Sequence, residues 1–126
     1  DISNNSFLMT EEMSITRVNS TQTCRPDIVC FVNGLPLVVI EAKRPDAKTN
    51  KGPTVDEGIS QSIRNQKNDE IPTLYTYSQL LLSINGMDGR YGTCNTRLSF
   101  GRLGAKKILL TLSFAASKIK SCQLRR

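Results

Sequence analysis

Two short runs of apolar residues, Ile28-Val29-Cys30-Phe31-Val32 and Leu37-Val38-Val39-Ile40, stand on either side of Asn33-Gly34. Asn-Gly between such runs is the strongest short signal for a β-hairpin, because a tight primed turn needs positive φ at both positions. Both runs are apolar at successive positions, which predicts central strands covered from two sides. Upstream, Phe7-Leu8-Met9 and then Met13 through Val18 read as one or two strands, the second alternating apolar and polar, and residues 19–23 form a polar loop. Downstream, residues 48–53 read as a loop, and Thr54-Val55-Asp56-Glu57 fits the capping-box pattern of a helix running to about Gln66. Lys67-Asn68-Asp69-Glu70 breaks that helix, and Pro72 opens a short helical turn through Tyr77. Gln79 to Ile84 reads as another strand, residues 85–89 as a turn, and Arg90 to Thr93 as a returning strand. The order predicts an α/β domain with a mixed sheet. No internal repeat is visible.

At 126 residues with an apolar fraction of 38%, the chain has room for one small domain, or a piece of one, with a modest core. No apolar stretch reaches the length of a membrane-spanning helix. The start, Asp1-Ile2-Ser3, carries neither a Met nor the features of a signal peptide, so the chain reads as one entered part-way through a longer, cytoplasmic protein. Four cysteines at 24, 30, 94 and 122 form no C-x-x-C pair, and reduced thiols are the plain expectation. The absence of His excludes His-based triads and Cys-His nucleophiles. The net charge of +6 suggests nucleic acid until its distribution is inspected. Residues 1–93 hold nine Lys/Arg against eleven Asp/Glu, whereas residues 94–126 hold eight Lys/Arg and no acid. The case for a DNA-directed body must therefore rest on site chemistry.

That chemistry lies at the ends of the predicted hairpin. Asp27 heads its first strand; Glu41 and Lys43 end the second, two apart and so on one face. A strict two-residue Asn33-Gly34 loop would set Asp27 opposite Ile40 and leave Glu41 on the other face. A longer loop or a bulge would set Asp27 opposite Glu41, and this is the register expected. Two carboxylates beside a backbone carbonyl are hard oxygen ligands suited to Mg²⁺, and a neighbouring ammonium could offset charge on a phosphorane-like transition state. Taken singly, Pro26-Asp27 is an ordinary turn and Glu41-Ala42-Lys43 an ordinary solvated strand end. The hairpin joining them is what distinguishes this pair.

Arg25-Pro26-Asp27-Ile28-Val29, Phe31-Val32-Asn33-Gly34-Leu35-Pro36-Leu37 running on to Ile40-Glu41-Ala42-Lys43, Gln61 to Gln66, Glu70-Ile71-Pro72 and Arg90-Tyr91-Gly92-Thr93 together resemble the nuclease region of type I restriction enzyme R subunits (HsdR), of the PD-(D/E)xK superfamily. The resemblance covers roughly residues 7–94. It implies a restriction-endonuclease-like mixed β-sheet flanked by helices, truncated here. It further implies Asp27 and Glu41 as Mg²⁺ ligands, Lys43 as the catalytic lysine and Gln61 as a contact to the substrate or to a metal-bound water. Family members commonly carry Tyr four positions after that Gln, where this chain has Asn65. Also implied are duplex DNA as substrate, methyltransferase and specificity subunits as partners, no membrane, and ATP only through motor domains that this chain lacks.

On this reading residues 1–94 form a partial nuclease domain and residues 95–126 an atypical basic tail. Ile108, Leu112, Ala115, Ile119 and Cys122 recur at helical spacing, which would suit a basic amphipathic helix on DNA phosphates or an anionic membrane. Alternatively the tail is a weakly ordered frameshift product: suitable codons for Ser99 through Ser117, read one base earlier, spell an acidic segment resembling the family's. Two further functional readings stand beside the restriction nuclease, a repair or junction nuclease of the same superfamily and a non-catalytic fragment that retains the fold.

Overall fold

The computed structural model describes residues 4–44, 54–85 and 88–95, together with the backbone of 101–104. Its strands are β1 (Phe7–Glu11), β2 (Ile15–Thr16), β3 (Thr23–Cys24), β4 (Ile28–Val32), β5 (Leu35–Lys43), β6 (Leu80–Asn85), β7 (Asp88–Gly92) and β8 (Gly101–Gly104). Two helices, α1 (Val55–Asn65) and α2 (Pro72–Tyr75), stand between β5 and β6. One six-stranded sheet runs in the order β1-β4-β5-β6-β7-β8, and β2 and β3 form a separate two-stranded ribbon. The β5–β6 pair is parallel and the other pairs are antiparallel, giving the expected mixed α/β sheet. β8 is an addition that the sequence pattern did not announce. The loop expected at 48–53, the tip of the turn at 86–87 and the helical stripe expected from Ile108 onward all lie outside the described residues.

The hairpin turn forms as its sequence dictates, with Asn33 at φ 52 and Gly34 at φ 82, both in the left-handed region. Side-chain and backbone bonds tie it to the start of the chain. The Ser6 N–H donates to Asn33 Oδ1 at 2.9 Å, and the Asn33 N–H donates to the Ser6 carbonyl at 2.8 Å. The turn itself is the strict two-residue kind, since Val32 pairs with Leu35. Between Cys30 and Phe31 the register slips: Phe31 pairs with Pro36 but Cys30 with Val38, which leaves Leu37 as a bulged residue. The neighbouring Pro36 lacks an N–H for the ladder, and a bulge is where a strand tolerates that loss. From there Val29 pairs with Val39 and Ile28 with Ile40, so the ladder continues toward Asp27 opposite Glu41. A tight loop and a bulge were alternatives on paper; the molecule uses both, and the bulge sets the faces.

Helix α1 begins as its capping box requires. Thr54 Oγ1 accepts from the Glu57 N–H at 3.3 Å and Glu57 Oε2 accepts from the Thr54 N–H at 3.2 Å. The helix lies on the face that carries Val39 and Glu41. Gly58 allows this approach: a Cβ there would stand 3.3 Å from Glu41 Cβ and collide with Ser83 Oγ. Ser83 Oγ in turn donates to the Val55 carbonyl at 2.7 Å, fastening helix to sheet. Val29, Val39, Leu81, Ile71, Leu74, Tyr75 and Cys24 form the buried core on this side. On the other face Ile40 and Leu82 are buried while Cys30, Val38 and Leu80 are half-buried, so the two central strands are less evenly covered than their apolar runs suggest.

Candidate metal-dependent active site

Asp27, Glu41 and Lys43 meet at one end of the sheet, beside α1. The Asp27 carboxylate reaches across the hairpin, where its Oδ2 accepts a hydrogen bond from the Ala42 N–H at 2.7 Å. That bond fixes the aspartate beside the strand end that carries the other two groups. Glu41 is fully buried at 0% exposure, and no donor reaches either of its carboxylate oxygens. Lys43 Nζ stands 3.9 Å from Glu41 Oε2 and donates to Gln61 Oε1 at 2.8 Å. Gln61 projects from α1, so the helix sets the lysine. The sequence placed Gln61 as a substrate contact; the molecule first gives it the task of orienting the ammonium.

This environment strains Glu41 electrostatically. Burial is the largest cause pushing its carboxyl up to about 8, and the Asp27 charge adds to it. Asp27 is also close enough to accept a hydrogen bond from the protonated Glu41, which raises the value further, while Lys43 and Arg64 oppose. Near neutral pH Glu41 thus holds a proton that an ordinary carboxylate would release. Two adjoining oxygen-rich groups, one without donors, are what a small hard cation requires. Among the described residues no cluster of three or more His, Cys, Asp or Glu occurs, so the site offers two carboxylates and the backbone. The donor set fits Mg²⁺, with Glu41 and Asp27 as the groups that would hold it.

Sequence reasoning did not single out Tyr75 and Ser62, both buried with hydroxyl oxygens that lack a hydrogen-bond partner. Tyr75 was seen only as part of a short helical turn, and Ser62 only as a letter within a helix. The sole available signal was the repeat of small or polar residues, Gly58, Ser62 and Asn65, along the inner face of α1. The thiols of Cys24, Cys30 and Cys94 are free. No helix among the described residues is long and apolar enough to cross a membrane.

Residues 1–100 match the family described as Type I restriction enzyme R protein N terminus (HSDR_N). The chain is 31% identical over 94 residues to the putative type I restriction enzyme MjaIXP endonuclease subunit of Methanocaldococcus jannaschii, covering 74% of this chain and 8% of that protein. It is 37% identical over 87 residues to the type I restriction enzyme SsaAORF53P endonuclease subunit of Staphylococcus saprophyticus, with 69% and 8% covered. Against the SauCOLORF180P endonuclease subunit of Staphylococcus aureus, identity is 29% over 129 residues, with 97% and 13% covered. The chain therefore spans only 8% to 13% of the length of these relatives. By that match the chain belongs to the family of type I restriction enzyme R-protein N termini.

Proposed function

We propose that this chain is the DNA-cutting module of a type I restriction R subunit, hydrolysing phosphodiester bonds in duplex DNA with Mg²⁺ held by Asp27 and Glu41. The observation that carries the reading is the Glu41 carboxylate, buried without donors, with Asp27 brought alongside it by the Leu37 bulge. When bound, Mg²⁺ supplies Lewis-acid polarisation of a phosphate oxygen. Lys43, held by Gln61 at 2.8 Å, presents its ammonium to the phosphate and offsets the negative charge that builds there. A divalent charge held there would favour the ionised form of Glu41 against the burial that otherwise favours its proton. Gln61 retains its amide nitrogen as a donor for the substrate. Assembly with methyltransferase and specificity subunits, and ATP-driven motion supplied by other parts of the R subunit, complete the proposal for the whole protein.

The test is cleavage of supercoiled plasmid with Mg²⁺ by the chain, Glu41→Ala and Lys43→Ala. Slow nicking by the parent chain that both variants lose supports the proposal. Equal digestion by all three identifies a contaminant. Intact plasmid in every lane favours a module that keeps the fold without acting alone.

A further inference from the structure

The six-stranded sheet has two faces, and the described helices and ribbon cover one of them. α1 meets the sheet through Gly58, α2 through Leu74 and Tyr75, and the β2–β3 ribbon through Ile15 and Cys24. All of these contacts fall on the face that carries Val39, Leu81 and Glu41. On the opposite face the register sets two apolar rows across β4, β5 and β6: Cys30 beside Val38 beside Leu80, and Ile28 beside Ile40 beside Leu82. Among the described residues no helix or strand is stacked on these rows. Even so, Ile40 is only 3% exposed and Leu82 6%. Neighbours within a sheet shield the flanks of a side chain, whereas its tip is kept from water by atoms above the face, and an apolar sheet face is buried against another layer. The covering atoms therefore belong to a segment outside the described residues.

We propose that residues 108–119 of this same chain dock on that face as an amphipathic helix, closing the sheet between two layers. The exit of β8 supports this. β8 is antiparallel to β7, which is antiparallel to β6, so β8 runs with β5 and β6. It ends with Gly104 opposite Asp88, whose N–H donates to Asn85 Oδ1 at 2.7 Å, and Asn85 pairs with Lys43. The chain thus leaves the sheet at the Lys43 end, and residues 105–107 are enough to turn it back along the uncovered face. Twelve residues of helix, 108–119, extend about 18 Å, the length of a strand of five or six residues, about 17–20 Å. Ile108, Leu112, Ala115 and Ile119 then point at the two rows, while Ser117 falls on the outer side and the lysines at 106, 118 and 120 keep their charges in water. No other undescribed segment has this composition: residues 45–53 are mostly polar, and residues 1–3, 86–87 and 96–100 are too short to cover both rows. On this assignment the apolar stripe of the tail serves the fold and not a membrane.

Methyl-resolved NMR of the 126-residue chain tests this directly. The expected result is nuclear Overhauser contact from the Ile40 and Leu82 methyls to those of Ile108, Leu112 or Ile119. Contacts confined to the sheet, or made to a different segment, overturn the proposal. Contacts seen only between differently labelled copies in a mixed sample overturn it too, by giving the face to a second copy of the chain. Substitution supplies a second readout. Leu112→Asp should lower Tm by at least about 5 °C and speed alkylation of the half-buried Cys30 thiol, whereas Ser117→Asp should change neither. A Leu112→Asp chain with the parent's Tm and alkylation rate overturns the proposal. If that variant does not fold, the spectra of the parent chain decide.

Discussion

Two buried glutamates lie on the α1 side of the sheet, and they are treated in opposite ways. Glu70 sits with its side chain 9% exposed, and Arg17 Nε meets its Oε2 at 2.9 Å while the Cys24 thiol donates to the same oxygen at 3.2 Å. The Val18 N–H donates to the Glu70 carbonyl as well, so the β2–β3 ribbon is tied to the turn after α1. Glu41 is more deeply buried, yet the ion pair that it makes among the described residues is a long one, to Lys43 at 3.9 Å, and that ammonium donates to Gln61 instead. A carboxylate that serves architecture comes with its donors. One that lacks them, with a second carboxylate alongside, is costly to ionise as it stands, and on the proposed reading a cation from outside would complete it.

The largest effect expected from breaking this contrast is chemical. Lys43→Ala and Glu41→Ala should each lower any Mg²⁺-dependent cleavage by at least about 100-fold, whereas Glu70→Gln should leave cleavage per folded molecule unchanged; a plasmid-nicking assay normalised to folded protein reads all three. Next comes stability. Because the Glu41 carboxyl lies near 8 folded and near 4.5 unfolded, the folded chain keeps a proton that the unfolded chain has lost between those values. Stability is therefore full below about 4.5, falls as pH rises toward 8, and then levels. Glu41→Gln should escape that loss and be roughly 3–5 kcal/mol more stable than the parent at pH 9 in chelator, with the gap closing toward pH 5, as urea titrations at several pH values would show. Added Mg²⁺ should stabilise the parent and leave this variant unmoved.

On the other side of the comparison, Arg17→Ala leaves Glu70 with the Cys24 thiol alone and should lower Tm equally with and without Mg²⁺, since that cluster lies apart from the proposed cation pair. Differential scanning calorimetry in the two buffers separates the cases. The smallest effect sharpens the link between helix and site. Thr54→Ala removes one half of the capping box and should cost about 1 kcal/mol of stability while changing Mg²⁺ affinity little, because Gly58, Gln61 and Asn65 lie beyond the first turn.

Much of this was legible in the residues. Asn33-Gly34 between two apolar runs gave the hairpin, Thr54 with Glu57 gave the start of α1, and Pro72 gave α2, because each rests on local backbone chemistry. The register was less accessible: the residue count of the loop alone favours the wrong face, and only Pro36, a poor ladder residue, hints at the bulge. β2 proved shorter than its alternation suggested, Ile15–Thr16 alone, because its partner β3 offers two residues. β8 joins the sheet by pairing with β7, a long-range choice that Gly101 to Gly104 does not advertise. Within the site, Asp27, Glu41 and Lys43 were named from spacing and resemblance.

The most direct test is anomalous diffraction from crystals of the chain grown or soaked with Mn²⁺ in place of Mg²⁺. The predicted result is a single strong peak between Asp27 and Glu41, with an oxygen of each about 2.0–2.2 Å away and Lys43 still on Gln61. A featureless map at that position under saturating Mn²⁺, or a peak elsewhere with Glu41 still free of partners, would contradict the account.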